Sequence, residues 1–223
     1  MGLIRTYGLA HGQVQPTATR IVLMPGAYHT CEQYLQAGFA QAVRARAQPL
    51  ELTLAVPEQT HLTDRRWIAA LHDEIIAPAR AHGDASLWLG GVSLGGFMAL
   101  RFAAQYPQAI DGLCLLAPFL GSRVIAAEIA AHPDVASGQA GSPDEDDDER
   151  KIWQYVARLG SSMTATRVFL GLSTGDRFAD TQQLLARALP AARTTTRVVD
   201  GAHDWPAWRH LWDQFLDEFG KAP

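Results

Sequence analysis

The stretch Gly90-Gly91-Val92-Ser93-Leu94-Gly95-Gly96 carries the strongest structural signal in the sequence. It follows an apolar run, Leu87–Gly90, and precedes a helical pattern from Phe97 to Tyr106. This strand–turn–helix context is the one that a G-x-S-x-G nucleophile elbow requires, because its glycines let strand and helix approach closely around a strained serine. In such an elbow the serine hydroxyl points out above the sheet, where the helix dipole favours developing negative charge.

The same glycine-rich stretch has two other interpretations. One is a turn whose serine is buried or caps the helix. The other is a phosphate-binding loop, which is disfavoured because the Walker spacing and its lysine are absent. We therefore interpret the stretch as a nucleophile elbow with Ser93 at its tip.

Short β-type runs alternate with helical patterns on both sides of this motif. The runs that predict strands are Ile21–Met24, Leu50–Val56, Leu87–Gly90, Gly112–Leu116, Val168–Leu172 and Arg197–Val199, with Leu3–Tyr7 as a further edge strand. The helical patterns are Glu32–Ala47, Thr63–Ala81, Gly95–Tyr106, Thr181–Leu189 and Pro206–Phe219. Such alternation with near-continuous apolar strands indicates a mostly parallel sheet with helices on both faces. We predict a single α/β domain over 1–223.

The alternation breaks between Phe119 and Thr166, a segment that contains the acidic run GSPDEDDDER. Ser142-Pro143-Asp144-Glu145 matches a capping box with proline at the first helical position. Downstream, a set of apolar residues falls on one helix face: Ile152, Tyr155, Val156 and Leu159. We therefore predict a cap insertion at about 120–165 with a helix whose acidic end faces solvent. A disordered acidic segment and a carboxylate metal site are the alternatives.

A serine hydroxyl is a poor nucleophile unless a base and an orienting carboxylate accompany it. In the fold that carries the elbow, these follow in the order serine, then Asp or Glu, then His. Of the eight histidines, only His203 lies after the last strand pattern and before the last helical pattern. We predict Ser93 as the nucleophile and His203 as its base.

The orienting acid is predicted at Asp176. It follows the Val168–Leu172 strand pattern through a short turn, and so falls at the same sheet edge as Ser93 and His203. Three other carboxylates compete with it. Asp180 fits a cap of the helix beginning at Thr181, Asp204 fits the start of the last helix, and Asp200 fits a turn.

An oxyanion hole needs two preorganised N–H donors. One is the amide of Leu94, directly after the nucleophile. The second should come from the loop after the first buried strand, where Gly26 gives backbone freedom and the Ala27 amide is the candidate, with Tyr28 as the alternative. A plain Pro-Gly turn is the other interpretation of this loop.

Several aromatic side chains are candidates to line the substrate pocket. These aromatic side chains are also compatible with plain packing in the core, and His29 is also compatible with a position in a surface loop. The predicted substrate-binding residues are Tyr28, His29, Phe119, Phe178 and Trp205.

Composition excludes several classes of protein. With 48% hydrophobic residues among 223, the chain can fill a core and is not disordered. A net charge of −4 and the lack of a basic cluster disfavour nucleic-acid binding. Two cysteines cannot form a disulfide framework, and no segment has the layout of a membrane span or signal peptide. We predict a cytoplasmic protein.

With these residues in hand, the chain resembles the α/β-hydrolase superfamily over nearly its whole length. The segment Gly91–Pro107 is similar to the nucleophile helix of small bacterial esterases, and G-A-H-D-W-P-A-W at 201–208 to their G-G-H-D-W-x-x-W ending. P-G-A-Y near the start and G-D-R-F around Asp176 add to the likeness. The chain lacks the H-G-G-G run of lipase-type members, which leaves the second oxyanion donor less defined.

The resemblance implies a serine esterase or thioesterase with an α/β-hydrolase fold and a Ser93, Asp176, His203 triad. Its expected partner is a small-molecule acyl ester or thioester, with no metal or organic cofactor. One alternative uses the same triad for acyl transfer to an acceptor other than water, or for thioesterase action in a pathway. A second alternative is a catalytically silent ligand-binding protein, although such proteins usually lack a triad member and none is missing here. Fold alone does not choose among them.

Overall fold

Seven strands form one sheet in the order β1-β3-β2-β4-β5-β6-β7. The computed structural model describes residues 4–9, 19–46, 49–57, 65–131, 144, 146–161 and 165–219. Within them, β1 runs antiparallel to β3 at one edge and all other neighbouring strands are parallel. The strands are β1 (Ile4–Leu9), β2 (Thr19–Met24), β3 (Leu50–Pro57), β4 (Ser86–Val92), β5 (Gly112–Leu116), β6 (Arg167–Ser173) and β7 (Thr194–Val199).

These strands confirm the predicted fold class. Six predicted runs coincide with strands of the sheet, and the predicted edge strand is β1, displaced toward Leu9. β7 begins three residues earlier than predicted, at Thr194. Its extra residues are threonines, which are not apolar but suit the partly exposed surface of an edge strand because they are β-branched.

Nine α-helices surround the sheet within the described residues. They are α1 (Cys31–Gln36), α2 (Phe39–Arg44), α3 (Arg66–Leu71), α4 (Ala77–His82), α5 (Leu94–Gln105), α6 (Arg123–Ala131), α7 (Asp148–Ser161), α8 (Ala179–Ala188) and α9 (Trp205–Glu218). A π-helical turn (His72–Ile76) joins α3 to α4, and a 3₁₀ turn (Ala191–Arg193) precedes β7. In the described part of the chain no helix is both long and apolar enough to cross a membrane.

Two of the predicted helices are interrupted. The one predicted over 32–47 is split at Gly38, whose φ of 83° breaks the helical path. The helix predicted over 63–81 is interrupted by the π-helical turn, in which the amide of Ala77 donates to the carbonyl of His72. Pro78 explains this turn because it has no N–H to continue the α-helical register.

The helices cover both faces of the sheet, and alternate residues of the central strands point to opposite faces. In β5, Leu113 and Leu115 belong to the core under α3, α4, α5, α7 and α8, whereas Cys114 and Leu116 belong to the core under α1, α2 and α9. This period of two is what a strand covered on both sides requires.

The helix predicted in the 120–165 segment exists as α7, but its apolar face lies in the main core. Ile152 and Val156 are buried there together with side chains of α5. α7 supplies the helical crossover between the parallel neighbours β5 and β6. The predicted capping box lies outside the described residues except for Asp144, and a cap function for the segment stays a prediction.

The expectation that the acidic end of α7 faces solvent is wrong for Asp148. Its carboxylate accepts from Arg65 Nε at 3.0 Å and from Arg101 Nε at 2.6 Å. The Arg101 side chain, on α5, is only 7% exposed. A guanidinium so far out of water needs a paired carboxylate, and Asp148 supplies it from the first turn of α7.

We expect Asp148→Ala to lower the free energy of unfolding by about 2–4 kcal/mol, because it leaves the buried Arg101 charge unpaired. Asp146→Ala is the matched control: Asp146 also pairs with Arg65, but its side chain is 87% exposed. Its loss should cost no more than about 1 kcal/mol. Urea unfolding of the two variants measures the difference, and equal losses would contradict the buried-pair argument.

Candidate active site

Ser93 occupies the turn between β4 and α5 with a left-handed φ of 53°. A non-glycine residue is strained in this region and stays there only where its surroundings hold it. Those surroundings are backbone: a Cβ on Gly91 would lie 2.2 Å from the carbonyl carbon of Gly95, and one on Gly95 would lie 2.0 Å from the Met24 oxygen. The two glycines beside Ser93 therefore allow the close approach that the elbow motif predicts.

The three residues predicted as a triad lie at one edge of the sheet. Ser93 follows β4, Asp176 follows β6 and His203 follows β7, and the carboxyl ends of these parallel strands share that edge. His203 Nε2 lies 2.9 Å from Ser93 Oγ, and His203 Nδ1 lies 2.8 Å from Asp176 Oδ2. The structure brings them together in one hydrogen-bonded chain.

The Asp176 carboxylate is buried yet well supplied with donors. Its Oδ1 accepts from the Phe178 amide at 2.8 Å, while Oδ2 faces His203. Burial by itself raises the pKa of Asp176, but hydrogen bonds from His203, the Phe178 amide and Gln182 outweigh burial and hold that pKa below its usual value. The carboxylate is therefore an anion at neutral pH, suited to accept a hydrogen bond from a protonated Nδ1 of His203.

The competing carboxylates occupy other places. Asp204 begins α9 and accepts from the Ala207 amide at 3.2 Å, as predicted. Asp200 lies in a turn, 3.4 Å from the Thr174 hydroxyl. Asp180 does not cap its helix, because α8 begins earlier, at Ala179, and places Asp180 exposed in its first turn.

The two predicted oxyanion donors flank Ser93 on separate elements. The Leu94 amide opens α5, so it has no acceptor within the helix. The Pro25–Tyr28 loop abuts Ser93, since a Cβ on Gly26 would lie 3.5 Å from Ser93 Cβ. In the described part of the chain, the Ala27 amide has no acceptor.

The expectation that Gly26 supplies backbone freedom is wrong. The left-handed residue of this loop is Tyr28, with φ 63°. An added Cβ at Gly26 would lie 3.1 Å from His29 Nδ1, so the His29 side chain would have to shift slightly to admit it, whereas the Val92 carbonyl oxygen at 3.4 Å is an ordinary contact. Tyr28 itself is 91% exposed.

Sequence reasoning misses Tyr34. This tyrosine is fully buried, and its Oη accepts a hydrogen bond from the Gly26 amide at 3.0 Å. A signal for it is present: Thr30 and Gln33 form a capping box at the start of α1, which fixes Tyr34 one residue further along, beneath the loop.

Aromatic rings continue from the histidine along the sheet edge. The Phe178 ring lies 5.0 Å from that of His203, Phe119 lies 5.3 Å from Phe178, and Phe97 lies 5.9 Å from Phe119. All three phenylalanines are partly exposed. The prediction placed Phe119 and Phe178 near the site, whereas Phe97, four residues after Ser93 on α5, was not singled out.

The remaining predicted pocket residues pack with one another. His29 contacts the rings of Trp205 at 4.9 Å and Trp208 at 5.4 Å, and Trp208 in turn contacts His203 at 5.1 Å. His29 Nδ1 is buried, and none of the described residues bonds to it. Burial, and to a smaller degree the charge of His203, lower the pKa of His29.

No group of three or more potential metal ligands occurs within the described ranges. Among curated protein sequences no match to this chain is found.

Solved structures of the same fold align with almost the entire chain. They include S-formylglutathione hydrolase (FrmB) from Staphylococcus aureus, 10% identical with a TM-score of 0.70 over 98% of this chain and 99% of that one. A monoacylglycerol lipase from Paleococcus ferrophilus is 14% identical, with a TM-score of 0.63 over 97% of both chains. Est1E from Butyrivibrio proteoclasticus is 13% identical, with a TM-score of 0.64 over 98% of this chain and 95% of that one.

At sequence identities this low, the similarity to these solved structures shows the fold alone. The sequence itself matches the family model described as alpha/beta hydrolase fold over residues 57–219. That match covers well over half of the chain, and the protein therefore belongs to the α/β-hydrolase fold family.

Proposed function

We propose that the protein is a serine hydrolase that cleaves a carboxylic ester or thioester through an acyl-Ser93 intermediate. The observation that carries this proposal is the hydrogen-bonded chain from Ser93 Oγ through His203 to Asp176, with heavy-atom distances of 2.9 and 2.8 Å. Nucleophile, base and orienting acid within hydrogen-bond reach are the geometric signature of activated-serine chemistry.

The ionised Asp176 accepts a hydrogen bond from the Nδ1–H of His203, which leaves the Nε2 lone pair facing the Ser93 hydroxyl. Ser93 Oγ attacks the acyl carbon as Nε2 takes its proton. The resulting imidazolium is stabilised by Asp176 and then protonates the departing alcohol or thiol. In the deacylation step, Nε2 takes a proton from water and the resulting hydroxide attacks the acyl carbon. The bond to Ser93 Oγ then breaks, the imidazolium returns a proton to Ser93, and the acid is released.

The negative oxygen formed at each tetrahedral stage needs donors that are already in place. We assign this role to the amides of Leu94 and Ala27. The positive end of the α5 dipole lies at Ser93 and adds to their effect.

For the substrate, we propose that the acyl group lies against Phe119 and Phe178. The Phe178 ring lies beside His203 and the Phe119 ring beside Phe178, and both apolar rings are partly exposed. The segment 120–165 would then bound the site through its beginning, next to Phe119, because the apolar face of α7 is buried in the core. A monoacylglycerol is an oxygen ester and S-formylglutathione is a thioester, so the names of the neighbours leave both leaving groups open.

Ser93→Ala should reduce turnover of an activated ester by roughly 10⁴–10⁶-fold while the protein stays folded, because only the nucleophilic oxygen is removed. A fluorophosphonate should label the wild-type protein on Ser93, located by peptide mass spectrometry. Ser122→Ala, at an exposed serine bonded to Glu149, is the control and should keep both turnover and labelling. Normal turnover in Ser93→Ala, or an adduct elsewhere, contradicts the assignment.

Asp176→Asn should lower kcat by roughly 10³–10⁴-fold without unfolding the protein, because an amide favours the wrong tautomer of His203. Asp180→Asn removes an exposed carboxylate four residues away on α8 and should leave kcat unchanged within about twofold. Steady-state kinetics on the two purified variants decides the matter. An inactive Asp180→Asn protein beside an active Asp176→Asn protein overturns the acid assignment.

Phe119→Ala should shift the preferred acyl length toward bulkier groups, raising their kcat/KM relative to acetyl esters by about tenfold. Ile152→Ala, in the buried face of α7, should instead lower stability by about 2–5 kcal/mol and leave the acyl-length profile unchanged. The readout is kcat/KM across a series of chain lengths, with thermal unfolding alongside. A shifted profile in Ile152→Ala would show that α7 does shape the acyl site.

A further inference from the structure

We propose that Tyr34 is a positioning residue for the oxyanion hole, one that fixes the Pro25–Tyr28 loop by accepting the Gly26 N–H. This inference rests on the proposed function, because it concerns how that site holds its second donor. Tyr34 does not touch the reacting atoms, so it would act only through the loop.

The hydrogen bond itself is well placed to do this. Tyr34 Oη lies 3.0 Å from the Gly26 nitrogen, and the side chain is fully buried. Burial, the largest effect, raises the pKa of Tyr34 well above its usual value, so the phenol stays neutral and keeps its accepting oxygen. The Gly26 N–H is thereby engaged away from substrate, which leaves the following amides, at Ala27 and Tyr28, as the loop's donors; neither has an acceptor in the described part of the chain.

The loop lies so close to the nucleophile that a small rotation would matter. A Cβ on Gly26 would lie 3.5 Å from Ser93 Cβ and 3.4 Å from the Val92 oxygen. A donor must stand about 2.7–3.1 Å from the developing oxyanion to stabilise it. A peptide plane that turns at Gly26 also turns the next amide, and therefore moves the donor relative to Ser93.

Tyr34 is in turn rigidly held. Its ring packs edge-to-face on Phe39 and on Trp205, each at 4.9 Å between centroids. The capping box of Thr30 and Gln33 fixes the start of the helix that carries it. A fully buried ring with such neighbours gives its hydroxyl one position, as a group that orients other groups must have.

Removing the hydroxyl would leave the Gly26 N–H buried without an acceptor, a costly state that the loop can relieve by rotating. Loss of the hydroxyl would destabilise the transition state, in which negative charge develops on the substrate oxygen, and would leave binding of the ground-state substrate unchanged. A fall in kcat with little change in KM is the expected sign of such an interaction.

The test is Tyr34→Phe in the full-length protein. We expect kcat to fall by about 10–100-fold, less than the 10²–10³-fold typical of deleting a donor outright, with KM within about twofold. Binding of a trifluoromethyl ketone, which forms a tetrahedral oxyanion on the serine, should weaken by the same factor as kcat/KM. Tyr155→Phe is the matched control, since it removes another buried tyrosine hydroxyl, in the core on α7, and should change neither quantity.

Amide hydrogen exchange at Gly26 gives a readout independent of activity: it should be slow in the wild type and faster in Tyr34→Phe. Unchanged exchange at Gly26, or an unchanged kcat, overturns the proposal. If the phenylalanine variant does not fold, site-specific fluorotyrosines at Tyr34 weaken the accepting oxygen while nearly keeping its volume. kcat should then fall in step with phenol basicity, and a flat response overturns the proposal.

Ser93→Ala measured in the same assay separates this inference from the proposed function. Loss of turnover in Ser93→Ala with normal turnover in Tyr34→Phe overturns only the role of Tyr34. Full turnover in Ser93→Ala overturns the proposed function, whatever Tyr34→Phe does.

Discussion

The serine turn depends on an approach of backbone to backbone that leaves no room for a side chain. The first turn of α5 lies against the Met24 carbonyl at the end of β2, so that any Cβ on Gly95 would collide with that oxygen. The same contact sets the distance between the turn that carries Ser93 and the loop that follows β2. Ser93 and the Pro25–Tyr28 loop are therefore positioned by one steric constraint, which explains why the strained φ of Ser93 can persist.

The parallel sheet does the rest of the positioning. β4, β6 and β7 end at one edge, and their ladders fix how far each strand reaches. Asp176 and His203 arrive from strands one and two places beyond β5 and meet Ser93 from the side. Because side chains that follow strand ends are held by a rigid scaffold, the fold itself fixes the hydrogen bonds among these three residues.

Much of this could be predicted from the sequence because it is written in local patterns. Apolar runs mark the strands, and the glycines around Ser93 together with the chain order of Asp176 and His203 mark the site. The two predictions that are wrong, for Asp148 and for Gly26, concern contacts that local sequence patterns do not show. The expected solvent exposure of Asp148 is wrong because its carboxylate pairs with Arg101 on another helix. The burial of the apolar face of α7 in the main core likewise follows from its place between β5 and β6, while a cap function for the 120–165 segment stays a prediction. At Gly26 the tightest contact of an added Cβ is His29 Nδ1, at 3.1 Å, a side-chain placement that the Pro-Gly pattern does not indicate.

One aromatic cluster links His203 to the loop that follows β2. Trp205 at the start of α9 packs on both Tyr34 and His29, and Trp208, one turn later, packs on His29 and His203. Packing in this cluster also affects the protonation state of His29. Burial lowers the pKa of His29, which keeps this second imidazole neutral at pH 7. In the proposed mechanism an imidazolium forms at His203, and a charged His29 would oppose it. The apolar packing around His29 therefore suits the role that we propose for His203.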